Sequence, residues 1–123
     1  MINFDQAIGI HDILIEKFGG SHGLQDRGAL EAALNRPLAT FDQKELYPSP
    51  IDKAAAILES VLINHPFIDG NKRTGYVLMR LTLMAGGLDI HASQEEKYEF
   101  VIQVSEGKVD IDSIKDWISR HSK

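Results

Sequence analysis

Apolar residues recur every three or four positions along most of this chain, a spacing that places them on one face of an α-helix. The clearest example runs from Ala54 to Leu62, and His65 continues the same face at its end. Because a proline disfavours helical geometry in the residue before it, Pro66 should end this helix at His65, at the edge of the core. Ser49-Pro50 supplies the N-cap and first residue that favour its start.

The segment that follows is apolar on nearly all sides until Gly86-Gly87, which are typical of a helix C-terminus. Its first turn should begin near Gly70-Asn71, and a helix of this kind is predicted to lie in the middle of a bundle. Its expected buried face is one set of apolar positions: Val77, Leu78, Leu81 and Ala85.

Four further helices are predicted from the same spacing combined with capping residues. They cover about residues 4–17, about 27–36, about 94–105, and a last segment that opens at Asp110 or Asp112. Asp26 should cap the helix of residues 27–36 and Pro37 should end it. On the helix of residues 94–105, Tyr98, Val101 and Ile102 are expected to face inward.

Two stretches lack helical spacing. Residues 40–49 predict a loop or short flap, with a plain connector as the alternative, since long connections in compact domains are often functional. Gly19-Gly20-Ser21-His22-Gly23 is glycine-rich, but no strand precedes it and no Gly-Lys-Ser/Thr follows it, so a helix stop and a turn are favoured over a phosphate loop. The predicted fold is all-α, one domain over residues 1–123 with about six helices and a short flap.

Composition narrows the class of protein. A chain of 123 residues suits one modest core, and its net charge of −5 argues against a nucleic-acid-binding protein, which usually carries a basic face. The absence of cysteine excludes disulfides and thiolate chemistry. No stretch approaches the length of an apolar membrane span, and the first residues lack the basic region of an export signal. We therefore expect a cytoplasmic protein without a membrane span.

Candidate chemistry lies between the two most apolar helices. Imidazole exchanges protons near neutral pH, so His65 is the candidate general base. Asp69 offers hard oxygen ligands that suit Mg²⁺ held together with a phosphate. The free N–H groups of the next helix's first turn, with Lys72 and Arg73, predict an anion site, and Gly70 lets the backbone turn tightly. Each residue alone also has an ordinary structural interpretation, so the inference depends on their combination.

Two segments carry a resemblance to a known family. The sequence His-x-Phe-x-Asp-Gly-Asn-Lys-Arg at residues 65–73 resembles the signature of the Fic/Doc family. A second segment, from Ile10-His11-Asp12 through Phe18-Gly19-Gly20 to Arg36-Pro37, resembles the amino-terminal half of the same family. The resemblance covers roughly residues 4–120.

The resemblance implies a Fic-like fold and a transferase that uses ATP or another nucleoside triphosphate, with Mg²⁺, to modify a protein hydroxyl. His65 would deprotonate the target Ser, Thr or Tyr, Asp69 would hold Mg²⁺, and the flap would dock the target segment in extended form. The residues expected to bind phosphates are Gly70, Asn71, Lys72, Arg73, Thr74 and Gly75. Supporting roles fall to Phe67, Tyr76 and His11, although a satisfied core histidine is the preferred interpretation of His11.

Two departures from the Fic pattern favour the Doc branch of the family. Lys72 stands where the Fic pattern has glycine, and Tyr76 stands where it has a second arginine, whereas Gly70 is retained as in the adenylylating branch. The resemblance therefore implies a toxin of a type II toxin–antitoxin system that phosphorylates a translation protein such as elongation factor Tu. Adenylyl transfer is one alternative, and a catalytically idle module that binds an antitoxin is another.

Control is expected from a partner. Fic enzymes that inhibit themselves carry a Ser/Thr-x-x-x-Glu-Gly/Asn pattern, but here Ile102 stands at the required spacing before Glu106-Gly107. The resemblance implies a Phd-like antitoxin instead, bound as an amphipathic segment in a groove between the first helices and the flap. No direct nucleic-acid partner and no membrane partner are expected.

Overall fold

The computed structural model describes all residues from 1 to 123 and contains six α-helices with one small hairpin, which confirms the predicted all-α fold. The helices are α1 (Phe4–Phe18), α2 (Arg27–Asn35), α3 (Pro50–Asn64), α4 (Asn71–Ala85), α5 (Gln94–Ser105) and α6 (Ile111–Arg120). A 3₁₀ turn (Arg36–Leu38) follows α2, and strands β1 (Thr40–Phe41) and β2 (Lys44–Glu45) precede α3. None of these helices is both long enough and apolar enough to cross a bilayer.

Side-chain caps fix the starts of five of the six α-helices. Asn3, Ser49 and Ser93 each form a reciprocal capping box with the residue three positions later, and Asp26 and Asp110 each accept a hydrogen bond from a first-turn N–H. These contacts join residues close together in the chain, which is why the sequence predicts them. The exception is α4, which no side chain caps.

The central helix of the bundle is α3, because α2, α4, α5 and α6 all pack against it. Its buried residues are Ala54, Ala55, Ala56, Ile57, Leu58, Ser60, Val61 and Leu62. One apolar cluster joins α3 to α1 and α2 around Leu30 and Phe67. The other joins it to α5 and α6, where the rings of Phe100 and Trp117 stack with centroids 3.9 Å apart. One helix thus divides the core into two parts.

The prediction that α4 lies in the middle of the bundle is wrong. Leu78, Met79 and Leu83 are buried, but Leu81 and Ala85, which belong to its predicted buried face, are exposed. A helix that is apolar all round has no polar face to indicate which side lacks a neighbour. Here α3 covers one side of α4, and α1 leaves part of the other side open.

One smaller prediction is also wrong. Tyr98 is 69% exposed, because the start of α5 extends past the core, and the buried residues of α5 begin at Phe100. The predicted end of α2 before Pro37 is confirmed, since the α-helix stops at Asn35 and Pro37 lies within the 3₁₀ turn that follows. A proline is tolerated at the start of a 3₁₀ turn because the N–H that it lacks would have no acceptor there.

The flap at residues 40–49 is a hairpin in which Thr40 pairs with Glu45 and Phe41 pairs with Lys44. The two turn residues between the strands have positive φ values of 53° and 65°. Positive φ at both central residues matches the twist of the strands in a two-residue hairpin. The flap predicted from the sequence therefore has a defined backbone.

Arg36 and Lys53 attach the base of the flap to α3. Arg36 donates hydrogen bonds of 3.0 Å to the Tyr47 hydroxyl and to Ser60 Oγ. Lys53 Nζ donates to the Tyr47 carbonyl. The tip has no such attachment, and Phe41 is 74% exposed there. The flap is therefore fixed at its base and exposes the Phe41 ring beside its polar two-residue turn.

Gly75 lies where α4 packs on α3, and a Cβ there would lie 3.0 Å from Leu62 Cδ2 and 3.2 Å from Val61 Cγ1. Both neighbours are fully buried. We expect Gly75→Ala to lower the free energy of unfolding by about 1–2 kcal/mol, because overpacking outweighs the better helix propensity of alanine. Urea unfolding measures the change.

Gly9 in α1 provides the matched control, because a Cβ there meets nothing within 4 Å. Gly9→Ala should raise the free energy of unfolding by about 0.5–1 kcal/mol. Shifts of the same sign in both variants would contradict the close contact between α3 and α4.

Candidate functional site

A cleft of about 500 Å³ opens between the loop of residues 65–70, the first turns of α4, and α5. The predicted site residues that line it are His65, Asp69, Gly70, Asn71, Lys72, Arg73 and Tyr76. The remaining predicted residues, which are His11, Phe67, Thr74 and Gly75, do not line it. The structure therefore brings the residues proposed for chemistry together at the cleft and places the other predicted residues behind its wall.

His65 has a left-handed backbone conformation, with φ 48° and ψ 62°, at the C-cap of α3. Its N–H still bonds to the Val61 carbonyl at 3.1 Å, but its side chain is exposed. The helix ends at His65 as predicted, but the left-handed turn takes the side chain off the buried face that it was expected to continue at the edge of the core. The histidine rings that hydrogen-bond within the chain are those of His11, His22 and His121, so the His65 imidazole is free.

Asn71 holds the loop that follows His65. Its Oδ1 accepts a hydrogen bond from the Phe67 N–H at 3.0 Å, and its Nδ2 donates to the Phe67 carbonyl at 2.8 Å. The carbonyl of Pro66 accepts from the N–H groups of Gln25 and Asp26, which pairs the loop with the start of α2. The Asn71 side chain is therefore occupied, and only its backbone N–H is left to bind a ligand.

His11 supports this loop from behind. The ring is 1% exposed and stacks on Phe67, with centroids 3.9 Å apart and planes within 4°. Its Nε2 lies 2.8 Å from the Asp69 carbonyl oxygen, so Nε2 carries the proton and donates. The two interpretations of His11 are thus compatible, because a satisfied core histidine also fixes the backbone of a cleft residue.

The start of α4 is an uncapped helix N-terminus. Gly70 is left-handed there, with φ 77°, and the first paired N–H is that of Thr74, which bonds to the Gly70 carbonyl at 3.0 Å. The N–H groups of Asn71, Lys72 and Arg73 have no acceptor in the chain. Free N–H groups at the positive end of a helix dipole form an anion-binding site.

Two cations without a carboxylate partner stand at this helix end. Lys72 and Arg73 are exposed, and neither takes part in an ion pair. The Arg73 guanidinium lies over the Phe18 ring, 4.3 Å from its centroid. In contrast, Arg80 is bidentate to Asp89 at 2.7 and 2.8 Å and holds the pKa of that carboxyl at about 2. Arg80 is therefore held in an ion pair, whereas the side chains of Lys72 and Arg73 have no carboxylate partner and are free to bind an anion.

Asp69 is the carboxylate that lines the cleft. Its Oδ1 accepts from the Gly70 N–H at 2.8 Å, and its Oδ2 accepts from the Ser21 N–H at 3.1 Å. No group of three or more His, Cys, Asp or Glu side chains in the chain could form a metal cage. Mg²⁺ needs only one or two carboxylates when phosphate oxygens and waters complete its shell. The donor set therefore fits Mg²⁺ held jointly with a nucleotide.

Thr74 and Gly75 point away from the cleft. Both are buried, and the Thr74 Oγ1 has no hydrogen-bond partner in the chain. Gly75 permits the close contact of α4 with Val61 and Leu62. Of the predicted phosphate-binding residues, Gly70 to Arg73 are thus placed to contact a ligand.

The second wall of the cleft is not apparent from the sequence. Gln94, Lys97 and Tyr98 of α5 line it opposite the loop. Tyr76 lies beside them, and burial raises the pKa of its hydroxyl. The available signal was the composition of α5, since its first turns carry a cation and an aromatic residue outside the face formed by Phe100 and later residues. Nothing in a helical pattern indicates that such residues reach the loop of residues 65–70.

Known proteins resemble this chain over most of its length. The sequence model of the Fic/DOC family matches residues 1–83. The chain is 37% identical to "Toxin Doc" of Mycolicibacterium smegmatis over 99 residues, which cover 79% of this chain and 76% of that protein. It is 28% identical to "Protein kinase doc" of Escherichia phage P1 over 119 residues, which cover 97% of this chain and 93% of that protein. The chain belongs to the Fic/DOC family.

Proposed function

We propose that this protein is the toxin of a type II toxin–antitoxin system and transfers a phosphoryl group from a nucleoside triphosphate to a hydroxyl of a translation protein resembling elongation factor Tu. The observation that carries the proposal is the uncapped N-terminus of α4, where three unpaired N–H groups meet two unpaired cations beside an exposed histidine. The relatives named as a toxin and as a protein kinase support the same assignment.

Each residue has a separate part in this proposal. His65, whose ring has no partner in the chain, accepts the proton of the target hydroxyl as that oxygen attacks the terminal phosphorus, and the bond to the nucleoside diphosphate breaks so that the diphosphate leaves. The N–H groups of Asn71, Lys72 and Arg73, with the two cationic side chains, bind the phosphate oxygens and stabilise their charge. Asp69 would hold Mg²⁺, which supplies further neutralisation of the phosphates when bound. Catalysis consists mainly of positioning and electrostatic stabilisation.

Phosphoryl transfer is favoured over adenylyl transfer by what surrounds Arg73. Tyr76 occupies the position of a second phosphate-binding arginine and lines the cleft. Arg80, one turn further along α4, is held by Asp89 and does not replace that arginine. Lys72 adds a charged side chain at the mouth of the anion site. Adenylyl transfer, consistent with the retained Gly70, is the second candidate.

Intact-mass measurement tests the proposed reaction. Purified elongation factor Tu, incubated with this protein, ATP and Mg²⁺, should gain the mass of one phosphoryl group. A gain of one adenylyl group would establish the second candidate and overturn the first. No gain of either kind, with a preparation shown to be folded, would leave the idle antitoxin-binding module as the better assignment.

The same assay tests His65. His65→Ala should lower the transfer rate by about 10²- to 10⁴-fold, the usual contribution of a general base. The fold should survive, because the side chain is exposed. His91→Ala is the matched control, since His91 is exposed and lies outside the cleft. Equal rates for both variants would remove His65 from the reaction.

Calorimetric titration with nucleotide and Mg²⁺ tests the anion site. Arg73→Ala should weaken binding by about 1.5–3 kcal/mol, because it removes a charge-assisted hydrogen bond to phosphate. Arg80→Ala should leave the affinity unchanged, since Arg80 is paired with Asp89 outside the cleft. Equal losses in the two variants would contradict the placement of the phosphates at the first turn of α4.

We further propose that a Phd-like antitoxin restrains this protein. The unpaired charges of Lys72 and Arg73 give acidic residues of such a partner a place to bind. Expression of the chain alone should arrest growth, and co-expression of a short adjacent reading frame should restore it. Growth counts at matched expression measure the effect. Normal growth at high expression with His65 and Arg73 intact would contradict the toxin assignment.

A further inference from the structure

The loop between α1 and α2 reaches the candidate site. The sequence predicts only a helix stop and a turn there, and Gly19 does end α1, with its N–H bonded to the Ile15 carbonyl at 2.8 Å. The next residues extend across to the loop that precedes α4. The Ser21 N–H donates to Asp69 Oδ2 at 3.1 Å, and the Gly23 carbonyl accepts from the Ile68 N–H at 3.0 Å.

Gly20 permits this approach. A Cβ at position 20 would lie 2.7 Å from Asp69 Oδ2 and 3.0 Å from Ile15 Cδ1, and its φ of 117° is a conformation that other residues rarely adopt. Any side chain at this position would displace the Asp69 carboxylate or the backbone that holds it. The glycine is therefore required by a contact with a cleft residue, not by the turn alone.

His22 fastens the same segment to α1. Its Nδ1 lies 2.9 Å from Asp12 Oδ1, and its Nε2 lies 2.7 Å from Glu16 Oε1. The hydrogen bond to Asp12, together with that to Glu16, raises the pKa of the His22 imidazole. A ring held by a carboxylate at each nitrogen keeps the adjacent Ser21 N–H in one place.

We propose that residues 20–22 are a positioning element for Asp69. Both oxygens of this carboxylate receive a backbone N–H, Oδ1 from Gly70 and Oδ2 from Ser21, so the group cannot rotate. Its remaining lone pairs then face the cleft in a fixed orientation, ready for a divalent cation that arrives with a nucleotide. The cation and nucleotide rest on the proposed function, whereas the fixed orientation of Asp69 does not.

The test compares two glycines that differ in one respect. Gly20 and Gly19 both have positive φ values, 117° and 88°, but a Cβ at Gly19 meets nothing within 4 Å. Gly20→Ala and Gly19→Ala therefore add similar backbone strain, and only Gly20→Ala disturbs Asp69. Calorimetry measures the dissociation constant of ATP for each variant, once with Mg²⁺ and once with a chelator in its place.

We expect Gly20→Ala to weaken binding of ATP with Mg²⁺ by about tenfold or more, the usual loss when a metal ligand loses its hydrogen-bond partner. Binding of ATP without the metal should be unchanged, and Gly19→Ala should match the unmodified protein in both titrations. A purely structural role would weaken both titrations or neither. Equal dissociation constants for Gly20→Ala and Gly19→Ala with Mg²⁺ would overturn the proposal.

A second readout needs no ligand. The Gly70 amide signal in a proton–nitrogen correlation spectrum reports its hydrogen bond to Asp69 Oδ1. It should shift in Gly20→Ala, as in an Asp69→Asn reference, and stay in place in Gly19→Ala. If the unmodified protein binds no ATP, the proposed function fails, and this signal alone decides whether residues 20–22 hold Asp69.

His22→Ala covers the case in which Gly20→Ala does not fold. The His22 side chain is about half exposed, so its loss should leave the core intact. Releasing the loop from Asp12 and Glu16 should lower the affinity for ATP with Mg²⁺ by severalfold and shift the Gly70 amide. An unmoved Gly70 signal with unchanged affinity would show that the loop does not position Asp69.

Discussion

The two hydrogen bonds between the Asn71 amide and the peptide groups of Phe67 are the interaction on which the site depends. They close the loop between α3 and α4 while Phe67 is buried beneath His11. Two such bonds contribute about 1–3 kcal/mol, which offsets the cost of about 1–2 kcal/mol for the left-handed backbone at His65. The loop therefore holds His65 off the helix, Asp69 toward the cleft and the first turn of α4 open at the same time.

The parts of this fold that the sequence predicts are those fixed by neighbours in the chain. The caps at Asp26 and Ser49 and the end of α3 before Pro66 depend on a few consecutive residues. The position of α4 does not, because an all-apolar helix looks the same whether one or all of its sides are covered. The exposure of Tyr98 could not be predicted for the same reason, since the point at which α5 leaves the core depends on where the neighbouring helices end.

The candidate site was predictable in its residue types and not in their geometry. The signature at residues 65–73 identifies the histidine, the carboxylate and the cations. It does not reveal that the Asn71 side chain is occupied, that Thr74 and Gly75 face the core, or that the Ser21 N–H reaches Asp69. These facts arise from contacts between segments far apart in the chain, which periodicity and capping rules do not describe.

The two walls of the cleft differ in their relation to the core. One wall, residues 65–73, lies within the region that the family model matches, and its residues are tied to buried groups such as Phe67 and His11. The other wall is α5, which lies outside that region. Its lining residues Gln94, Lys97 and Tyr98 precede Phe100, the first buried residue of the helix, and Val101 and Ile102 complete the wall. Substitutions at Gln94, Lys97 or Tyr98 remove little packing. The molecule thus holds one wall of the cleft through its core and leaves the first side chains of the other wall outside that packing.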